Sequence, residues 1–529
     1  MASILLPECL EKIFMNLFNP SNPIFSNSIE TCEIKDLYSC TLVSRYWCQI
    51  STPLLYSNPF HYFRHLVNNK NNKKIQTGKD FQDYYKLIRT LLSCVPRSEI
   101  EEIVNSVCGK ELFTESTESV VSPIFNYVKF IHELHLDDKF FLNHGKEIWI
   151  PSYISVKEIS EEMFTSIINH LAKFLCENCN NLTRLEILYS KLQFDPMKSL
   201  TKDKLNGLKK LYLTGPGKVG NEKESNNLTQ LYTTLSTTTL YLELIHNSEI
   251  ISPEHANALS SLISSQKRLK HIILSDDLKV YLTNHRVSEW YNVVFNSLTI
   301  QGEWLERLEL IFISFENINE ETLNSLCSLK SLKELKLERC KFLRVNLLRS
   351  WVESLTNLKV IEYKAYSPIY FSFDFELLTE ILKSSSSNLN KLVIDYTRTN
   401  DQGFGLVKNI LTYSQFLTHL ELTQIFPAEL KNIFKSCTEL VYFGIILAYY
   451  GGWEPSLRHI GNSVPNSVQR IQFKDMHVLE ITSETLKYFL EGCVNSGGEL
   501  RCLEITGKCV LSQDYFDAAK QSEVQLIKL

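Results

Sequence analysis

The chain has 529 residues, enough for about three or four domains, and its formal charge of −5 gives no electrostatic footprint for nucleic acid. Its fourteen cysteines are scattered and mostly lie in apolar stretches, which points to reduced thiols in a cytoplasmic or nuclear protein rather than a disulfide framework. No apolar run approaches the ~18 residues that span a bilayer, and the start Met-Ala-Ser-Ile-Leu-Leu-Pro-Glu is too short in apolar residues for a signal peptide.

Residues 5–56 carry the first organised pattern. Leu10, Ile13, Phe14 and Leu17 fall at i, i+3, i+4 and i+7, so one face of a helix is apolar. Pro7 and Glu8 sit where a helix start favours a fixed φ and a negative charge. After a polar stretch, Cys40, Val43, Trp47 and Ile50 share a second face, and Ser44 is placed to cap a helix. The module has more apolar surface than roughly 50 residues can bury alone.

Leu6-Pro7-Glu8-x-Leu10-x-x-Ile13-Phe14-x-x-Leu17, then Asp36-Leu37, Leu42-Val43-Ser44-Arg45-x-Trp47 and Pro53-Leu54-Leu55-Tyr56, resembles the F-box. One departure is the insertion of Phe18 to Lys35 where the family has a short turn, which reads as a tolerated surface loop. The resemblance implies a three-helix domain over 1–56 that docks on the Skp-type adaptor of a cullin-based ubiquitin ligase. It further implies that Leu6, Pro7, Leu10, Ile13, Leu37, Leu42, Val43 and Trp47 form or support the adaptor contact. Some of them must be the module's own core, and the sequence does not divide them.

Residues 57–125 form a helical linker in this reading. Asn68-Asn69-Lys70-Asn71-Asn72-Lys73-Lys74 is a solvated loop, while Tyr84 to Leu92 and Ile100 to Val104 read as helices. These helices are expected to bridge to the next domain and shield its first strand.

From 126 to 529 the pattern Leu-x-x-Leu-x-Leu recurs, with other apolar residues allowed. Clean copies include Leu182/Leu185/Ile187, Leu332/Leu335/Leu337, Leu417/Leu420/Leu422 and Leu500/Leu503/Ile505. Weaker copies are read at Ile131/Leu134/Leu136, Leu242/Leu244 and Val524/Ile527/Leu529. From Leu185 onward the middle positions of successive copies are 23 to 36 residues apart, the long and irregular end of a leucine-rich repeat. The last Leu-x-Leu is a strand of period 2, and helix-start signals stand between copies at Ser252-Pro253-Glu254, Asn319-Glu320-Glu321 and Thr482-Ser483-Glu484. The expected fold class is therefore α/β: an F-box followed by an irregular leucine-rich-repeat solenoid, parallel strands on its concave face and helices on its convex face. A doubly wound sheet would need continuous apolar strands and a Gly-rich phosphate turn, and neither is present.

Candidate chemistry is sparse. Cys176-Glu177-Asn178-Cys179 has metal or redox spacing, yet Cys179 stands three residues before Leu182 as Cys437 stands before Leu440, which marks a buried repeat cysteine. Gly215-Pro216-Gly217-Lys218-Val219-Gly220 lacks the phosphate-loop spacing and reads as a turn. No metal, cofactor, membrane or nucleic-acid partner is expected, and no catalysis. Outward residues of the strands offer a recognition surface for an unknown target protein, with Arg184, Tyr212, Tyr241, Arg307 and Tyr442 as the candidate anchors. The bland alternative is a solvated face whose charges pair across strands.

Taken with the resemblance, these features imply a non-catalytic substrate receptor. The F-box would hold the adaptor while the repeats hold a protein to be ubiquitinated. A repeat scaffold or sensor without a ligase role, and a GTPase-activating repeat protein using Arg184 or Arg307, are the other readings. A variant in which a small molecule joins target to the repeats is disfavoured by alternating acids and bases on the strands.

Overall fold

Apolar residues at alternate positions force each repeat copy into a strand that buries one side. In the computed structural model, strands β1 Glu133–Asp137, β2 Arg184–Leu188, β3 Lys210–Thr214 and β4 Glu243–Asn247 are parallel neighbours in chain order. The structure describes residues 6–18, 30–60, 79–108, 123–137, 160–188, 199–214, 222–236, 243–247, 253–276, 287–316, 318–365, 375–396, 403–447, 453–474, 481–507 and 509–528. The chain divides into two compact units, Met1–Ile250 and Ile251–Leu529, so the boundary falls inside the stretch expected as repeats.

The first unit begins with three helices, α1 Pro7–Phe18, α2 Glu30–Thr41 and α3 Arg45–Leu55. Leu10, Phe14, Leu37 and Cys40 form their core, with Tyr46, Trp47, Ile50, Leu54 and Leu55 packed around it. Trp47 meets Phe14 edge to face at 5.2 Å. The Ser44 hydroxyl accepts the Trp47 N–H at 3.1 Å and so caps α3. Two helices follow in the linker, α4 Lys79–Leu92 and α5 Arg97–Cys108. Glu99 of α5 pairs with His170 of α6, Glu161–Asn178, at 2.8 Å.

A backbone ladder fixes how the strands stack. At most of the strand entrances, two successive N–H groups share the carbonyl of the residue just before the preceding strand: Thr183 and Arg184 use His132, and Lys209 and Lys210 use Thr183. The ladder starts one rung before the first strand. His132 and Glu133 both donate to the carbonyl of Ser57, at 2.9 and 3.0 Å, and the Asn58 amide reaches the Glu133 carboxylate at 2.5 Å. The residues leaving α3 thus serve as a rung of the repeat stack.

Among its described residues the second unit holds ten parallel strands in chain order: β5 His271–Ser275, β6 Arg307–Ile311, β7 Glu334–Glu338, β8 Val360–Ala365, β9 Lys391–Tyr396, β10 His419–Ile425, β11 Tyr442–Leu447, β12 Arg470–Lys474, β13 Cys502–Ile505 and β14 Gln525–Lys528. Helices separate them on the buried side. Asn319 caps one and Thr482 another by accepting the N–H three residues on, as their sequence signals anticipate. Inward residues such as Leu335, Leu337, Leu420 and Leu422 are buried, each contributing about 2 kcal/mol of apolar burial. This succession of strand and helix in one direction is a leucine-rich-repeat solenoid.

Two expected frames need correction. Leu526 lies opposite the inward Leu503, and Ile527 opposite the outward Glu504, so the last copy runs one residue out of step with Val524/Ile527/Leu529. Being the outermost described strand, β14 has one neighbour and little burial to enforce a frame. In β4, Glu243 pairs with Lys210 and Leu244 with Leu211, so Leu244, not Leu242, stands in register with the middle leucine of β3. The Gly215 to Gly220 turn and most of the insertion between α1 and α2 lie outside the described residues.

Candidate functional site

Two surfaces carry the sequence candidates, and the first is the helical module. Leu6, Pro7, Ile13, Leu42 and Val43 are exposed, with Leu42 at 70% and Leu6 at 65%. Leu10 and Leu37 are fully buried in the module's core, which removes both from any direct contact with a partner. Trp47 is half-buried against Phe14, so it supports the core and shows only part of its ring. Met15 and Tyr38 are exposed apolar residues that the sequence reading missed. Each follows a core residue, Phe14 and Leu37, and so falls off the stripe that periodicity detects. The exposed set lies just before and on α1, on α2 and in the turn between α2 and α3, and the three helices pack on one another.

The second surface is the open face of the strands. In the first unit the Arg184 guanidinium lies 4.3 Å over the ring of Tyr212 and pairs with Glu133 at 3.8 Å and Glu186 at 3.6 Å. His135 meets Glu186 from the adjacent strand at 3.1 Å. Arg184 and Tyr212 are therefore brought together by the β2–β3 pairing, whereas Tyr241 lies outside the described residues.

In the second unit Glu309, Glu421 and Glu504 are set deeper than the cations around them. Glu309 is buried and receives Arg307 at 2.7 Å, His271 at 3.2 Å and Lys336 at 3.5 Å; Arg307 also reaches Glu334 at 3.3 Å. Burial alone would raise the Glu309 carboxyl, but the hydrogen bond from His271 and the charges of Arg307 and Lys336 outweigh it and bring it to about 2. Glu421 repeats the arrangement: burial opposes ionisation, while His419 and Lys474 together hold it at about 2.

Tyr442 stacks on His419 with centroids 4.1 Å apart, donates its hydroxyl to Gln472 at 2.6 Å, and has Arg470 at 5.5 Å from its ring. Burial and the Glu421 charge push its phenol well above the ordinary range. Gln472 passes the network on to Glu504 at 3.0 Å, and Arg470 also pairs with Glu504. Arg307 and Tyr442 lie five strands apart, roughly 24 Å at ~4.8 Å per strand, and form no common site. The opposite charges pair across strands, and deep carboxylates anchor Arg307 and the Tyr442 network, a depth that the sequence does not display. It marks only their positions: a Glu two residues after Arg307, His419 and Cys502 alike.

Burial holds several repeat cysteines as thiols. Cys176 and Cys179 are buried, with Cys179 raised to about 12 by desolvation, and burial likewise holds Cys340 and Cys493 near about 12. Among the described residues no group of three or more His, Cys, Asp or Glu is placed to hold a metal ion, and no helix is long and apolar enough to cross a membrane.

No family model matches the chain, and no curated protein does. Among solved structures it is similar to the leucine-rich repeat-containing protein LegL7 from Legionella pneumophila, at 15% sequence identity and a TM-score of 0.36. That similarity covers 54% of this chain and 90% of the other.

Proposed function

We propose that the chain is a substrate-recognition subunit of a Skp–cullin–F-box ubiquitin ligase, its first three helices holding the Skp-type adaptor and its repeats holding a target protein. The observation that carries this reading is the exposure of Leu6, Ile13, Met15, Tyr38, Leu42 and Val43 on a module whose core is already closed by other residues. Isolated exposed leucines are ordinary, but six large apolar side chains on about 50 residues mark a surface that a partner covers. Its place in sequence, ahead of a repeat solenoid and joined to the stack through Ser57, suits a part that holds one protein while the repeats hold another.

In this reading the chain breaks no bond and requires no cofactor. It raises the effective concentration of target lysines near the ubiquitin carrier. The pairing of charges on the strand face favours a partner that reads a fixed, mixed-charge pattern over one attracted by net charge. The test is co-expression with a Skp-type adaptor. Leu6→Ala with Pro7→Ala, and separately Leu42→Ala with Val43→Ala, are expected to reduce adaptor capture by about tenfold or more without lowering the melting temperature of the repeats. Unchanged capture by both variants would leave a repeat scaffold without a ligase role as the better account.

A further inference from the structure

The loops that lead into β5 to β8 carry an unbalanced charge. Over the four residues before each of these strands stand Lys267, Arg268, Lys270, Lys330, Lys333 and Lys359, against Glu303 and Glu306 alone. The same positions before β10 to β13 hold Arg501 against Glu439 and Glu499. The run of cations is therefore local, in a chain whose overall charge is −5.

The backbone ladder brings these loops side by side. Glu306 donates to the Lys270 carbonyl at 2.9 Å, Lys333 to Glu306 at 2.8 Å, and Lys359 to Lys333 at 2.7 Å. The side chains of Lys270 and Lys333 close on Glu306 at 3.7 and 3.2 Å. No carboxylate among the described residues pairs with Lys267, Arg268, Lys330 or Lys359. Arg268 instead lies 4.7 Å over the indole of Trp304, which is 39% exposed. Cations are favoured after helix C-termini. Helices also precede β10 to β13, however, so the helix dipole does not account for a run confined to four strands.

We propose that this edge of the second unit docks an extended acidic segment of a partner protein, with Trp304 as its apolar anchor. Four rungs at ~4.8 Å span about 15 to 20 Å, the reach of roughly six extended residues. A phosphate backbone needs an uninterrupted track of open cations, but here the run ends after four rungs and Glu303 and Glu306 stand within it, beside an exposed indole. That pairing of charge and aromatic surface fits a short peptide of carboxylates with one apolar residue.

The surface belongs to the second unit and the helical module to the first, and its test does not read adaptor capture. Failure here therefore leaves the ligase reading intact. The probe is a fluorescein-labelled peptide of about eight residues, alternating Glu and Asp around one Leu, titrated with the full chain and followed by anisotropy. Its Gln/Asn counterpart is the control. The acidic peptide is expected to bind and the counterpart not, with binding weakening as salt rises from about 50 to 500 mM. Lys330→Glu with Lys359→Glu is expected to weaken it about tenfold, and Trp304→Ala by a smaller factor, while Lys431→Glu with Lys435→Glu on a distant helix leaves it unchanged. Unchanged melting curves establish that each variant is folded. Equal binding of both peptides, or indifference to the Lys330/Lys359 reversal, overturns the proposal. So does displacement by a single-stranded oligonucleotide at lower concentration than the acidic peptide, which would assign the edge to nucleic acid.

Discussion

Glu309 shows how single residues hold the strand face. Its carboxylate sits beneath Arg307, Lys336 and His271, and an alanine there would leave three basic groups facing one another in a partly desolvated layer. Arg307 is 46% exposed and can turn to solvent, so the expected cost of Glu309→Ala is about 2 kcal/mol rather than that of a fully buried ion. Thermal or urea denaturation checks it. The pH dependence follows from the same contacts. Both Glu309 and Glu421 are lowered from the ordinary carboxylate range to about 2 in the fold, so the unfolded chain binds protons first as pH falls. Their stabilisation is complete above pH ~4.5 and is lost as the pH drops from there towards about 2. Melting temperatures measured across that window should fall steeply in the native chain and less steeply in Glu309→Gln with Glu421→Gln. Equal slopes would detach the acid sensitivity from these pairs.

At the scale of elements, the boundary between helical module and repeats is less clean than the sequence suggests. Ser57 leaves α3 and at once supplies the carbonyl that His132 and Glu133 need, 75 residues later for the Asn58–Glu133 contact. A chain started at residue 61 would deprive those N–H groups of their acceptor and open one edge of β1. Faster hydrogen exchange over Glu133–Asp137 is expected in that truncation, with exchange in β5 to β13 unaltered. Deletion of the module is thus a poor control for loss of adaptor binding, and point changes at Leu42 and Val43 are the better one. The Leu-x-x-Leu-x-Leu frame made the clean strands legible because burial of both leucines enforces a single register. It failed at β4 and β14, where copies lack a strong final apolar residue. Ser57 was not legible at all, since a backbone carbonyl leaves no mark on side-chain pattern. The division of the helical module into core and surface was equally hidden: Leu10 and Ile13 lie on one helical stripe, yet one is buried and the other 45% exposed.

Across the whole molecule, the two candidate surfaces differ in chemistry, and that difference makes them separable. The helical module exposes large apolar side chains whose burial is insensitive to salt, whereas the loops before β5 to β8 expose unpaired cations whose attraction is screened. Each lies in its own compact unit, with its own core. Under the ligase reading, Leu42→Ala with Val43→Ala should lower recovery of the adaptor from cells by about tenfold or more while proteins held by the repeats are still recovered. Lys330→Glu with Lys359→Glu should do the reverse for any partner held by an acidic segment, losing that partner while adaptor recovery stays at the native level. Quantitative mass spectrometry of affinity-purified chains, with the proteasome blocked so that targets persist, reads both arms at once. If the two variants lose the same set of proteins, the surfaces do not act independently, and the adaptor itself must carry the acidic segment.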